Sequence, residues 1–151
     1  MARVSIIPPP PGVAESLRKR GAELISASPQ VCAEAIESTP WSHRLSWKEE
    51  QGIGQYLRFY RLPAGTTLFH EGDHDGFVSI IVEGQLSIRK ADRTESEHFV
   101  ARLGPGKMVG EMSLIDGAPR SASAVAETEV KLLILSRDDF EVMSEKRPDL
   151  A

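Results

Sequence analysis

From residue 57 onward the chain is cut into short apolar runs by glycine-containing turns, and this rhythm limits what it can fold into. The runs fall at 57–62, 66–71, 77–83, 86–90, 98–103, 121–126 and 129–135. Between them stand Pro63-Ala64-Gly65, Gly72-Asp73-His74-Asp75-Gly76, Glu83-Gly84-Gln85 and Gly104-Pro105-Gly106, residue types that reverse a chain. Many short strands at regular spacing predict an antiparallel sandwich, barrel or jelly roll. Leu86-Ser87-Ile88-Arg89 alternates apolar and polar, as a strand does when one face of its sheet is wet.

Residues 13–56 change to helical spacing. Val13, Leu17, Leu24 and Ile25 fall near one face, with Glu15, Arg18, Lys19 and Glu23 largely away from it. Pro29 and Pro40 punctuate this segment. Ser46-Trp47-Lys48-Glu49 has the form of a capping box, which predicts a helix from Trp47 that Gly52 and Gly54 weaken towards its end. Ahead of it, Pro8 to Pro11 can continue neither a helix nor a sheet ladder, so 1–12 reads as a flexible proline-rich leader. Ser136-Arg137-Asp138-Asp139 opens a terminal helix whose Phe140 and Met143 pack back on the sheet, and Pro148 limits it. The fold class is therefore mainly β with flanking helices, the β domain and its terminal helix occupying 57–151.

The chain has 151 residues, enough for one domain with a real core. A net charge of −4 argues against a broad nucleic-acid surface but leaves room for a local anion pocket. Cys32, the one cysteine, excludes a disulfide within the chain and points to a reducing, cytoplasmic setting. Its Ala-rich surroundings read as a buried apolar site rather than a nucleophile. The apolar run 77–82 is too short to cross a bilayer, and residues 1–7 lack the form of a secretion signal. Trp41 and Trp47 read as core anchors.

Enzymatic signatures are weak. Nothing resembles a Ser–His–Asp or Cys–His arrangement, and Gly106-Lys107 is followed by Met108 rather than the Ser or Thr of a phosphate loop. His70 and His74 bracket Glu71, Gly72 and Asp73 and could suggest a metal-dependent jelly-roll enzyme. They lie across a turn, the closely paired His-x-His of cupin metal sites is absent, and His43 and His98 are isolated. The expectation is a binding protein, not an enzyme, with no metal.

The chemistry concentrates between residues 110 and 124. Gly110 permits close backbone approach, and the residues after it can open a helix whose free N–H groups point at an anion. Arg120, just past the Gly117-Ala118-Pro119 corner, brings a planar cationic fork to the same place. Glu111 in the first helical turn suits the helix dipole and can equally accept a hydrogen bond from a ribose hydroxyl. An acceptor, several N–H donors and one guanidinium suit a sugar joined to a single phosphate charge. Ser121 and Ser123 flank Ala122 at a strand start, where alternation would put both on one face, and Ser121 is the one assigned to a ligand.

These residues carry a resemblance. Gly110-Glu111-Met112-Ser113-Leu114, then Ala118-Pro119-Arg120-Ser121-Ala122, is similar to the phosphate-binding cassette of the cyclic-nucleotide-binding domain family. That family includes regulatory subunits of cAMP-dependent kinase, bacterial catabolite activator proteins and cyclic-nucleotide-gated channels. The stretch from Leu62-Pro63-Ala64-Gly65 to Glu71-Gly72-Asp73 resembles its second and third strands, Val82-Glu83-Gly84-Gln85-Leu86 its next turn, and Leu103-Gly104-Pro105-Gly106 its lead-in to the cassette. The likeness runs from about residue 56 to residue 147, with four spaced motifs in order.

The resemblance implies an eight-stranded antiparallel β-roll (jelly roll) with helices at both ends. It implies a ligand set of Gly110, Glu111, Met112, Ser113, Arg120, Ser121 and Ala122. In that set Glu111 holds the ribose 2′-hydroxyl, while Arg120 and N–H groups from Gly110 to Ser113 hold the cyclic phosphate. The implied ligand is cAMP, or cGMP. Ser121 stands where a hydroxyl can touch the phosphate or a syn guanine and where some cAMP-binding members have Ala. The implied role is a sensor that signals through its flanking helices to an effector domain or partner protein not in this chain. A homodimer is one such arrangement, and neither nucleic acid nor membrane is a direct partner. Two departures stand out: Ser113 replaces the more usual Ala, and the helix that covers the base in relatives has no counterpart before Ala151. No helix-turn-helix follows, so a regulatory module or fragment is expected rather than a complete transcription factor. A degenerate member serving as a docking platform is the alternative, against which the retained Glu111 and Arg120 argue.

Overall fold

A computed structural model describes residues 12–94 and 96–150. The leader expected at 1–12 lies, all but its last residue, outside them. The runs of alternating residues pair into two antiparallel sheets. β2 (Arg58–Leu62), β4 (Phe77–Glu83) and β9 (Val130–Ser136) form the centre of a five-stranded sheet with β1 (Glu23–Ser26) and β7 (Met108–Val109) at its edges, in the order β1-β2-β9-β4-β7. β3 (Thr67–Phe69), β5 (Leu86–Ala91), β6 (Glu97–Leu103) and β8 (Ser123–Ala126) form the second sheet, in the order β3-β8-β5-β6. Around them stand α1 (Val13–Lys19), α2 (Pro29–Glu37), a 3-10 turn (Pro40–His43), α3 (Trp47–Gly54), α4 (Glu111–Asp116) and α5 (Arg137–Lys146).

The period of two explains why β4 and β9 are apolar almost throughout. Phe77 and Ile81 of β4 join Val130, Leu132 and Ile134 of β9 in a core with Leu62, Leu68 and Leu86. Val78, Val82, Leu133 and Leu135 face the other way, onto Cys32, Ile36, Leu57 and Met143. Both faces of the central strands are thus covered, one by the second sheet and one by helices. Cys32 is fully buried, and burial raises its thiol to about 11, so it is the packed apolar residue expected rather than a nucleophile.

Among the described residues nine strands form where seven runs stand in the sequence, and the two without a run are edge strands. β1 lies inside the stretch read as helical. Its Leu24 and Ile25 share helical spacing with Leu17 by coincidence, since Gly21 at φ +100° stops α1 and the chain turns back to pair with β2. Both side chains remain exposed. β7 has two residues, too few to show alternation, and exists because β4 offers it an edge. Two expected strands are also shorter: β3 ends at Phe69 and β8 begins at Ser123, because the segments beyond fold around Arg120 instead.

The helix signals correspond to real caps. Ser46 Oγ accepts from Glu49 N at 3.1 Å while Ser46 N donates to Glu49 Oε1 at 2.9 Å. Ser136 Oγ accepts from Asp139 N at 3.1 Å. Trp41 is half-buried and donates Nε1–H to Gly106 O at 2.8 Å. Trp47 is not the core anchor expected; it sits exposed in the first turn of α3. Gly54, read as a weakness in that helix, is needed for packing: a Cβ there would stand 2.7 Å from Pro29 O of α2.

The α2–α3 interface hides a carboxylate. Glu50 is fully buried, and neither oxygen has a hydrogen-bond partner among the described residues. Burial, reinforced by the neighbouring Glu37, raises its pKa to about 7. A folded pKa above the unfolded value means stability that is complete below the unfolded pKa and lost as pH rises through about 7. Glu50→Gln is therefore expected to flatten the pH profile across this window and to be more stable than the parent near pH 8. Urea titrations at several pH values check it, and parallel profiles for the two proteins would refute it.

Candidate functional site

The segment after β7 is shaped by two glycines. Gly110 at φ +85° caps the start of α4 and Gly117 at φ +68° closes it, both in the left-handed region that other residues avoid. A Cβ on Gly110 would run into Arg120 Nη1. The first turn of α4 leaves backbone N–H groups open, as every helix start does.

Arg120 is the centre of the site. Its backbone is clamped by the loop between β3 and β4: Arg120 N donates to Asp73 O and Gly72 N donates to Arg120 O, each at 2.8 Å. Its side chain runs inward and is almost fully buried. Nε donates to Asp75 Oδ1 at 3.0 Å, Nη1 to Gly110 O at 3.1 Å and Nη2 to Phe77 O at 2.7 Å. The guanidinium carbon lies 4.1 Å and 4.5 Å from the ring centroids of Phe69 and Phe77. Burial pulls the guanidinium below its ordinary pKa and Asp75 pulls it back, and arginine stays charged in either case. A guanidinium has five N–H groups. Three are used here, and the other two have no acceptor among the described residues.

A cleft of about 500 Å³ opens beside this arginine, within the range of small-molecule sites. Every residue of the expected ligand set lines it: Gly110, Glu111, Met112, Ser113, Arg120, Ser121 and Ala122. Phe69, Ile88 and Leu103 form an apolar wall on the side of the roll. Glu111 is exposed and makes no hydrogen bond or ion pair among the described residues, so its carboxylate is open to a hydroxyl donor. Met112 is exposed at 61%.

Not every side chain in the set faces the cleft. Ser113 is buried and donates Oγ–H to Asp75 O at 3.1 Å, so its hydroxyl holds α4 to the loop rather than meeting a ligand. Ser121 and Ser123 do not share a strand face, since β8 starts only at Ser123. Ser123 Oγ accepts from Glu71 N at 2.8 Å, while Ser121 is exposed at the cleft.

His70 and His74 belong to the loop that clamps Arg120. Among the described residues no group of three or more His, Cys, Asp and Glu is placed to hold a metal ion.

Sequence reasoning missed Asp75, which it read only as part of a turn. Asp75 accepts from Arg120 through one oxygen and from Arg20 Nη1 at 3.2 Å through the other. The available signal was an acidic residue two positions before a fully buried strand start, a place where a charge needs a partner. A second cavity of about 360 Å³ lies under α4, lined almost wholly by apolar side chains, Leu114, Val78, Leu133, Phe140 and Met143 among them. Glu111 borders both cavities, so α4 forms the wall between the cleft and the helical side of the molecule.

Comparison with known proteins agrees with this geometry. Residues 60–147 match the family described as cyclic nucleotide-binding domain. A cyclic AMP receptor protein from Thermus thermophilus is 32% identical over 116 residues, 77% of this chain and 54% of that protein. A cyclic nucleotide-gated potassium channel from Rhizobium etli is 38% identical over 99 residues, 66% of this chain and 26% of the channel. The chain thus spans about half the length of the first relative and about a quarter of the second. The crystal structure of a cyclic nucleotide-binding domain from Methylobacillus flagellatus superposes with a TM-score of 0.74 at 27% identity, covering 85% of this chain and 74% of that one. Both α4 and Arg120 with its clamp lie inside the matched span, and the chain belongs to the cyclic nucleotide-binding domain family.

Proposed function

We propose that this domain senses cAMP and leaves it chemically unchanged. The observation that carries the reading is the pairing, across one cleft, of a buried arginine with two N–H groups and a carboxylate that have no partner among the described residues. A cyclic phosphate carries one charge, which Arg120 and the first N–H groups of α4 would neutralise. The adjoining ribose would donate its 2′-hydroxyl to Glu111, and the base would lie along the apolar wall. The name of the Thermus relative favours cAMP over cGMP, and Ser121 is the side chain placed to alter that preference.

The signal would leave through α4. Leu114 faces the apolar cavity that Phe140 and Met143 of α5 share, so a shift of α4 on ligand binding would repack that cavity and bias the flanking helices between two arrangements. The reader of that bias would be an effector domain or partner outside the given sequence, a second copy of the chain included, in a reducing, cytoplasmic setting. Among the described residues no helix is long and apolar enough to cross a membrane. Calorimetric titration of the purified chain with cAMP and with cGMP tests the reading. Saturable one-site heat with cAMP at lower concentration than with cGMP is expected, and absence of heat with both would end it.

A further inference from the structure

Ahead of the matched span, β1 adds an edge to the five-stranded sheet, and Leu17 of α1 and Ala22 enter the main core. The residue that caps α1 is Arg20, and its side chain does not go to solvent. Nη1 donates to Leu68 O at 2.7 Å and to Asp75 Oδ2 at 3.2 Å, and Nη2 donates to Asp73 Oδ2 at 2.7 Å. Asp75 is the same carboxylate that holds Arg120 Nε, and its carbonyl accepts from Ser113 of α4. One loop residue therefore ties together α1, the cassette helix and the anion-binding arginine. Side-chain exposures of 23% for Arg20, 29% for Asp73, 12% for Asp75 and 2% for Arg120 put the whole network in a poorly screened environment.

The charges decide what this contact does. Two guanidinium groups face two carboxylates, so the network is neutral before any ligand arrives. A bound phosphate adds one negative charge. Without Arg20, Asp73 and Asp75 would both bear on Arg120 alone, and the anion would enter a region already one charge too negative.

We propose that Arg20 is a positioning residue of the anion site. It neutralises the acidic loop from α1, so that Arg120 retains attraction for a phosphate, and it thereby couples the docking of α1–β1 to ligand binding. This inference rests on the cyclic-nucleotide reading above. Coupling is reciprocal, so by whatever factor docked Arg20 tightens the nucleotide, the nucleotide tightens the docking of α1.

The test compares the parent chain, Arg20→Gln, Arg20→Lys and the double variant Arg20→Gln/Asp73→Asn by calorimetry with cAMP and cGMP, together with amide hydrogen exchange of α1. Arg20→Gln is expected to weaken the better-bound nucleotide roughly three- to tenfold. Arg20→Lys should remain close to the parent, because charge is kept. The double variant should recover most of the lost affinity, because the local charge balance returns. In the parent, nucleotide should slow exchange at residues 17–22. A contact that only staples α1 would lower thermal stability in Arg20→Gln yet leave the nucleotide affinity of the folded protein, and the exchange of α1, unmoved. That result overturns the inference while leaving the sensor reading intact. Should Arg20→Gln fail to fold, α1 exchange in the parent that does not respond to nucleotide overturns it equally. A parent chain silent to both nucleotides overturns the sensor reading and this inference with it.

Discussion

Arg120→Ala is expected to weaken cyclic-nucleotide binding on the order of a hundredfold and to destabilise the free protein as well. A hydrogen bond to a charged group contributes about 1.5–3 kcal/mol, and a tenfold change in affinity is about 1.4 kcal/mol. Two of its N–H groups have no acceptor among the described residues, and if both serve the proposed phosphate their loss exceeds what any other side chain of the cleft would lose. The stability cost has a separate origin. Removing the guanidinium leaves the carbonyls of Gly110 and Phe77 without this donor and leaves Asp75 with Arg20 alone. Breaking a buried pair costs about 3–5 kcal/mol, and the retained Arg20 contact places this case at about 3 kcal/mol. Arg120→Lys separates the two effects. It keeps the charge, which restores part of the stability, but one ammonium cannot span Asp75, two carbonyls and a phosphate. Its affinity should stay well below the parent's. Calorimetry and urea unfolding on the same samples read both quantities, and an Arg120→Ala protein that binds cAMP like the parent would remove Arg120 from the site.

The parts of this molecule legible in the sequence are those encoded locally. β4 and β9 announce themselves because both faces are buried and the runs are apolar almost throughout. The caps at Ser46 and Ser136 depend on residues three positions away. That Gly110, Glu111 and Arg120 line one cleft is legible because they stand close along the chain and each residue type has a narrow physical use. What was not legible depends on distance. Asp75 meets Arg120 across 45 positions and Arg20 across 55, and no local pattern says which charge meets which. Ser113 shows the same limit from the other side: the contact implied for it runs through its backbone N–H, and nothing local says that its hydroxyl meets Asp75 O across 38 positions. β1 hides in the sequence because Leu24 and Ile25 satisfy a helical period that Gly21 interrupts, and an edge strand shows no buried face to betray it.

Phe77→Ala separates the stability of the roll from its affinity. Phe77 is fully buried in the main core, packs edge-on against Phe69 with ring centroids 6.2 Å apart, and lies against the Arg120 guanidinium. Truncating such a ring costs about 3–5 kcal/mol, out of a total that for a domain is about 5–15 kcal/mol. The backbone carbonyl that receives Arg120 Nη2 is unchanged by the substitution, so the folded variant should keep most of its affinity. Nucleotide at about 100 times its dissociation constant adds about 2.7 kcal/mol to any folded form that binds it. Phe77→Ala should therefore unfold at much lower urea than the parent when free, and recover much of that loss when cAMP is saturating. Arg120→Ala at the same concentration should recover almost nothing, because its dissociation constant has risen towards the ligand concentration. If cAMP rescues the two variants equally, stabilisation does not run through the guanidinium, and the cleft beside Arg120 is not where the nucleotide sits.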